Sequence, residues 1–375
     1  MVVRRSATLI VLLVLTAACG GGDDASADRG GSRSDHGGLV SGDDYSVESA
    51  LAELPVPPGD DLVTITTADL VTASELTGAD RPSEPDAAAL RSWVATVTGT
   101  QGQEGEPGPK LFIALARGLG ADQVDDIDEF EAEVGWSLAD VDAFVEQSAP
   151  PRQLSVVAGR FHDAAPEGDD VEDLSEGIVT AGEGEDLDQV GDAPTAARPL
   201  GQPLRMSRRG DRIAASLTTP EIESWRDGEG ETWADDEAMA AVAATLDEAE
   251  AVSAVLVGRL PSSDTPVAVD GDAAELASHD AVGLGWSVAD DRATVTVAYH
   301  LGSGADVDAA SRAAEEAFAE GTSARTGRPI SDLVTVEDVA TSGPVVVVTL
   351  TPAGESWPDA VYEMLLTRDI PFTHA

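Results

Sequence analysis

Five histidines, one cysteine and 70 acidic side chains are the groups in this 375-residue chain that could bind a metal, relay a proton or attack a carbonyl. His36, His162, His279, His300 and His374 contain no His-x-x-x-His pair, the spacing that puts two imidazoles on one helix face for zinc. His162 and His300 each follow a predicted strand, where sites often form, and with nearby carboxylates they define one hydrolytic alternative. A lone histidine in that place is more often a capping or surface residue. No Gly-x-Ser-x-Gly elbow occurs, and the single cysteine, Cys19, ends an apolar N-terminal run. That removes the commonest hydrolase arrangement and thiol chemistry. No catalytic, cofactor-binding or metal-binding residue is assigned.

The acids Asp125, Asp126, Asp128, Glu129 and Glu131 could supply oxygen ligands to calcium, with Asp290 and Asp291, and Asp264, Asp270 and Asp272, as looser sets. The first set falls round a predicted helix and lacks the central glycine of an EF-hand loop, so a solvated acidic face explains it better. A calcium-responsive envelope protein is therefore an alternative reading. His300-Leu301-Gly302-Ser303-Gly304 joins a predicted strand to a helix but lacks the third glycine and following lysine of a phosphate loop. Arg209-Gly210-Asp211 reads as a hairpin tip before it reads as an adhesion tripeptide. Of the six tryptophans, Trp93, Trp225, Trp286 and Trp357 fall on apolar faces, whereas Trp233 in its acidic surroundings is expected to be exposed.

Charge narrows the partners. The formal balance is −48, and Lys110 is the only lysine among 22 basic residues. A field of that sign repels nucleic-acid phosphates and anionic lipid heads. Dispersed acids with 42% hydrophobic residues point to a folded domain with an acidic surface rather than a disordered acidic chain.

Arg4 and Arg5 precede an apolar run over residues 7–18, too short for a bilayer span, and the run closes on Leu15-Thr16-Ala17-Ala18-Cys19-Gly20. Small residues before that cysteine resemble the bacterial lipobox, with Thr16 where leucine is usual. The resemblance covers the first 20 or so residues. It implies lipid attachment at Cys19 and a position on the extracytoplasmic face of the membrane, held by the N-terminal lipid; cleavage without lipidation would instead release a soluble secreted protein. With one cysteine, no internal disulfide is expected. Together with the composition, the signal resembles the uncharacterised surface lipoproteins of high-GC Gram-positive bacteria. The function expected is a non-enzymatic binding or interaction module of the cell envelope, with an envelope protein as a possible partner, no nucleic acid and no cofactor.

The elements divide the chain into a signal (1–18), a Gly/Asp/Ser-rich tether (19–44) and two α+β domains (45–235 and 236–375). Prolines 55, 57 and 58 stiffen the start of the fold, followed by a strand at 62–66. Helical spacing predicts helices over 83–97, 111–119, 127–134 and 138–145, and a short one at 171–176. Strands are expected at 154–161, 178–181 and 253–258, with hairpins at 204–217, 282–299 and 333–351. Further helices are expected after Thr219-Pro220, over 236–248 and 307–318, and from Ser356. Hairpins followed by helices predict antiparallel sheet with helices packed on one face. The echo between Gly135-Trp136-Ser137-Leu138-Ala139-Asp140 and the residues 285–290 falls on a predicted helix start in one place and a strand in the other, which argues against duplication.

Overall fold

A computed structural model describes residues 38–372, apart from 84–85, 101–108, 120, 164, 169–170, 188–193, 261–277, 324 and 355. Cys19, His36, Asp264, Asp270, Asp272 and His374 lie outside the described residues.

Leu39 is the first buried residue among those described, and α1 (Val47–Leu51) follows, started by the Ser46 hydroxyl accepting from the Ser49 N–H. Strand β1 (Val63–Asp69) runs straight into α2 (Leu70–Thr77), because the buried Asp69 carboxylate accepts the Val71 and Thr72 N–H groups. Helix α3 (Ala87–Val97) starts on the Asp86 carboxylate, and α4 (Ile127–Val134) ends on Gly135 at φ 77°. Strands β2 (Val141–Ala149), β3 (Arg152–Gly159), β4 (Val171–Ser175), β5 (Ile178–Ala181), β6 (Leu204–Arg209) and β7 (Arg212–Ser216) follow. Helices α5 (Thr219–Asp227) and α6 (Glu237–Glu248) lead to β8 (Ser253–Gly258), β9 (His279–Ala289) and β10 (Arg292–Leu301). The chain closes with α7 (Val307–Ala319), β11 (Val334–Ser342), β12 (Val345–Pro352) and α8 (Ala360–Leu366).

All these strands join one open antiparallel sheet of 12 strands in the order β11-β12-β10-β9-β8-β1-β2-β3-β7-β6-β5-β4. The sheet continues across residues 235 and 236 through the β1–β8 pair, in which Ile65 lies opposite Leu256. Its outer strands are β11 and β4. Both put acids on the open edge, Glu337 and Asp338 beside a bulge in β11 and Glu172 and Asp173 in β4, which discourages edge-to-edge pairing.

The antiparallel α+β architecture expected from the hairpins is the one observed, and its helical cover is wider than the single face expected. Alternate residues of each central strand feed two separate cores. On one face Leu51, Trp225, Val242 and Leu246 of α1, α5 and α6 pack with Ile65, Val145 and Leu256. On the other, Trp93, Phe130, Phe318 and Met364 of α3, α4, α7 and α8 pack with Phe144, Val255 and Tyr299. Strand β8 is buried along its whole length and has no polar side, whereas β1 and β2 feed both cores while keeping polar residues such as Thr64, Thr66, Asp142 and Glu146 among the apolar ones.

That sharing between two cores explains the main departure from expectation. Residues 138–145 are a 3-10 turn (Leu138–Asp140) running into β2, not a helix: Val141 and Phe144 serve one core and Ala143 and Val145 the other, so the apolar residues do not alternate and fall by chance at helical spacing. Residues 171–176 form edge strand β4, paired with β5 around Gly177 at φ 74°. Residues 111–116 form no regular element and end in a 3-10 turn (Arg117–Leu119), held on the sheet by Glu146, whose carboxylate accepts the N–H groups of Arg117 and Gly118.

Two halves of the sheet share a chain order. Outward from the central pair, one side runs β1-β2-β3-β7-β6 before it continues to β5 and β4, and the other runs β8-β9-β10-β12-β11, so that the fourth and fifth strands on each side are a reversed hairpin. A helix, α1 or α6, precedes the first strand on each side and lies on the same face. The six-residue echo is not part of this repeat, since Trp136 precedes β2 whereas Trp286 lies within β9. Helix α6 sits close to the strands because of glycines: a Cβ at Gly283 would fall 2.4 Å from Val242 Cγ1.

Candidate functional site

A cavity of about 360 Å³ opens on the α1/α5 face where β2 and β7 end and β3 begins. One wall is the link from α1 to β1, Pro55-Val56-Pro57-Pro58; the other is Thr218, Pro220, Glu221 and Ser224 at the start of α5, with Asp186 and Leu187 at the rim. Gln147 of β2 and Arg152 of β3 complete the lining.

Proline fixes the backbone of the first wall, and hydrogen bonds fix its position. Val56 N–H donates to the Glu231 carbonyl at 3.0 Å, and Trp233 N–H donates to that of Leu54 at 3.1 Å. Arg259 Nη1 donates to the Pro57 carbonyl at 3.1 Å, and Arg152 Nη2 to the Pro58 carbonyl at 3.0 Å. The Arg259 guanidinium also lies 5.0 Å over the Trp233 ring. Trp233 is thus a buried supporting residue, 1% exposed, and not the exposed aromatic expected from its acidic neighbours. Its 3-10 turn (Trp233–Asp235) is closed by a capping box between Thr232 and Asp235, which leaves the acids outside and turns the indole in.

At the floor, Gln147 is 4% exposed and its Oε1 accepts the Trp233 indole N–H at 2.9 Å. At the rim, Asp186 accepts from Arg205 Nε at 3.0 Å, Thr219 N–H at 2.8 Å and Thr219 Oγ1 at 2.9 Å. Burial by itself would raise the Asp186 pKa; these donors outweigh it and hold the carboxyl below its ordinary value. Glu221 accepts from the Thr218 hydroxyl, and Arg152 reaches Asp61 at 3.3 Å. Each charged group around the cavity therefore has a partner within the fold.

A second polar cluster fixes where the chain enters. Glu53, 2% exposed, accepts from Arg212 Nη1 at 2.5 Å, Arg209 Nη2 at 2.8 Å, Trp225 Nε1 at 2.8 Å and Leu39 N–H at 3.2 Å. Arg209 also stacks 4.1 Å over Trp225. The tripeptide Arg209-Gly210-Asp211 is the β6–β7 hairpin tip, and its arginine is turned inward to this cluster instead of outward to an adhesion receptor.

The sheet keeps the two histidines of the hydrolytic alternative apart. His162 follows the C-terminal end of β3 and His300 lies near that of β10; β9, β8, β1 and β2 run between them. Five strand spacings make about 24 Å, and since β3 and β10 run in opposite directions the two ends lie at opposite edges. They cannot share one site, which corrects that pairing. His300 Nδ1 is 3.7 Å from Asp280, and His279 packs edge-on against Tyr299.

The acidic sets do not converge either. Among the described residues no three histidine, cysteine or acidic side chains are placed to hold a metal ion. Asp125 pairs with Arg91, and Asp291 with Lys110 at 2.5 Å. Asp290 and Asp291, at φ 50° and 63°, make the two-residue turn of the β9–β10 hairpin. The glycine-containing stretch after His300 does join β10 to α7, but the Asp306 carboxylate already caps that helix by accepting the Ala309 N–H at 3.0 Å, leaving a negative charge where a phosphate would sit. No helix among the described residues is long and apolar enough to cross a membrane.

The cavity itself was not expected from the sequence. The prolines signalled a stiff segment without saying what it would face, and Gln147 carries no local mark.

No family model matches the chain, and no curated protein is similar to it in sequence. Among solved structures, crystal form I of TP0453 is similar over 80% of this chain and 92% of that one, at 9% identity and a TM-score of 0.31.

Proposed function

We propose that the protein is a non-enzymatic binding module of the cell envelope, tethered by lipid on Cys19 to the extracytoplasmic face of the membrane. The observation that carries the binding reading is the proline-walled cavity, whose charged groups are committed to holding its own walls. Support for the anchor is the small-residue sequence before Cys19 at the end of a short apolar run. The strong negative charge favours partners that are neither nucleic acid nor anionic membrane surface.

Metabolic labelling with a radioactive fatty acid, in cells making the wild type or Cys19→Ala, tests the anchor. Label in the wild type alone supports it, and equal label or none in both refutes it. Crosslinking on intact cells with the same pair tests the partner. A protein captured only by the anchored chain is the expected result, and identical capture by both chains would remove the role assigned to the lipid.

A further inference from the structure

The shape and charge of the cavity restrict what it can hold. Gln147 must keep its oxygen toward Trp233, because an indole N–H can only donate. Its amide nitrogen is thereby turned the other way, and among the described residues it donates to no protein acceptor. Gln147 lines the cavity, so this donor is free to meet a carbonyl oxygen of a molecule held there in place of water.

Charge then separates the possible acceptors. Around the cavity stand the carboxylates of Asp61, Asp186 and Glu221 and, in equal number, the guanidinium groups of Arg152, Arg205 and Arg259. With no excess of either sign, and with each guanidinium already donating to a carbonyl or carboxylate of the fold, a carboxylate or phosphate ligand gains little. A cation gains little, because Asp186 and Glu221 already accept hydrogen bonds from Arg205, Thr219 and Thr218. What remains is a neutral acceptor on an apolar body that matches Pro55, Val56, Pro57, Pro58, Leu187 and Pro220. Fixed proline dihedrals leave the walls in place before binding, so little ordering cost falls on association. The volume, about 360 Å³, is at the small end of ligand pockets.

We infer that the cavity binds a small, uncharged, mainly apolar amide or ester whose carbonyl oxygen accepts a hydrogen bond from Gln147 Nε2. This inference rests on the binding-module reading above and names its ligand class.

The test is calorimetric titration of the full chain with N-acetyl-leucine methylamide, a neutral probe, and with N-acetyl-leucine, its anionic counterpart. Saturable one-to-one binding of the neutral probe is expected, with at least about tenfold weaker binding of the anion. Gln147→Glu keeps an oxygen for Trp233 and loses the donor, and weakens the neutral probe about tenfold or more. Leu187→Asp, at the half-exposed rim, puts a charge in the apolar wall with the same effect and serves as the second variant where the first fails to fold. Leu187 has φ 64°, a conformation that aspartate adopts more readily than leucine. No saturable binding of the neutral probe, equal binding of the anion, or unchanged affinity in folded Gln147→Glu overturns the inference. A protein captured on cells by the anchored chain while the probe fails to bind overturns the ligand class and leaves the module reading standing. Probe binding that depends on Gln147, with no difference between wild type and Cys19→Ala on cells, supports the ligand class and refutes the anchor.

Discussion

Trp233 donates its indole N–H to Gln147 Oε1 at 2.9 Å with both side chains buried, so one hydrogen bond sets which end of the glutamine amide faces the cavity. Trp233→Phe keeps most of the ring volume and removes the donor. The oxygen of Gln147 is then left without its partner, and stability to urea is expected to fall by about 1–2 kcal/mol. An unchanged unfolding midpoint would mean that the amide finds another partner and is not held.

Glu53 ties Leu39, Arg209, Arg212 and Trp225 to a single carboxylate. Glu53→Ala leaves two partly buried guanidinium groups and an indole N–H without it, at an expected cost of about 3 kcal/mol. Chemical denaturation measures the loss. Proteolysis should also show faster cleavage near residue 39 than in the wild type. A loss under about 1 kcal/mol would show that water replaces the carboxylate at little cost.

The Asp186 carboxyl lies below its ordinary value, since donors from Thr219 and Arg205 outweigh its desolvation. A depressed carboxyl binds fewer protons folded than unfolded in the window just below the ordinary value of 3.8. Its contribution to stability is therefore present above that value and is lost as pH falls through the folded one. Unfolding midpoints from about pH 5 to about pH 2 should fall more steeply for the wild type than for Asp186→Asn. Parallel curves would show that the hydrogen bonds at the rim do not favour the ionised form.

Gly283 lets α6 lie close to β9. A valine there drives its Cβ to within 2.4 Å of Val242 Cγ1 and 3.1 Å of Leu246 Cδ1 unless the helix moves. Gly283→Val should lower stability by about 2 kcal/mol, and the double variant with Val242→Ala should recover part of the loss. Failure of the second change to help would place the strain elsewhere.

What could be read from the sequence follows from which faces are solvated. The β9–β10 hairpin was legible because Val282, Leu284 and Trp286 alternate with smaller residues before the Asp290-Asp291 turn. Strand β2 was not, because Ala143 and Val145 serve one core while Val141 and Phe144 serve the other, and apolar residues shared between two cores lose the alternation that marks a strand. Edge strand β4 failed for the opposite reason: four of its five residues are exposed, so no burial pattern marks it. Trp233 misled because its acidic neighbours lie outside a tight turn that points the ring inward. The cavity joins residues from five separate stretches, and no local pattern links Pro55 to Gln147 or Ser224.

The two halves of the sheet are alike in strand order yet unequal in their joints. Between α1 and β1 the chain spends residues 52–62, enough to swing out and stand as a wall; between α6 and β8 it has only residues 249–252, which cross directly. After the closing hairpin, α5 returns to the face that carries α1 and α6, whereas α8 turns to the opposite one. Among the described residues, neither of these walls has a counterpart at the place on β9 that matches Gln147. A frame whose first five strands repeat on each side has been given a handle on one of them, and a molecule held by it would sit on the side where the joint is long.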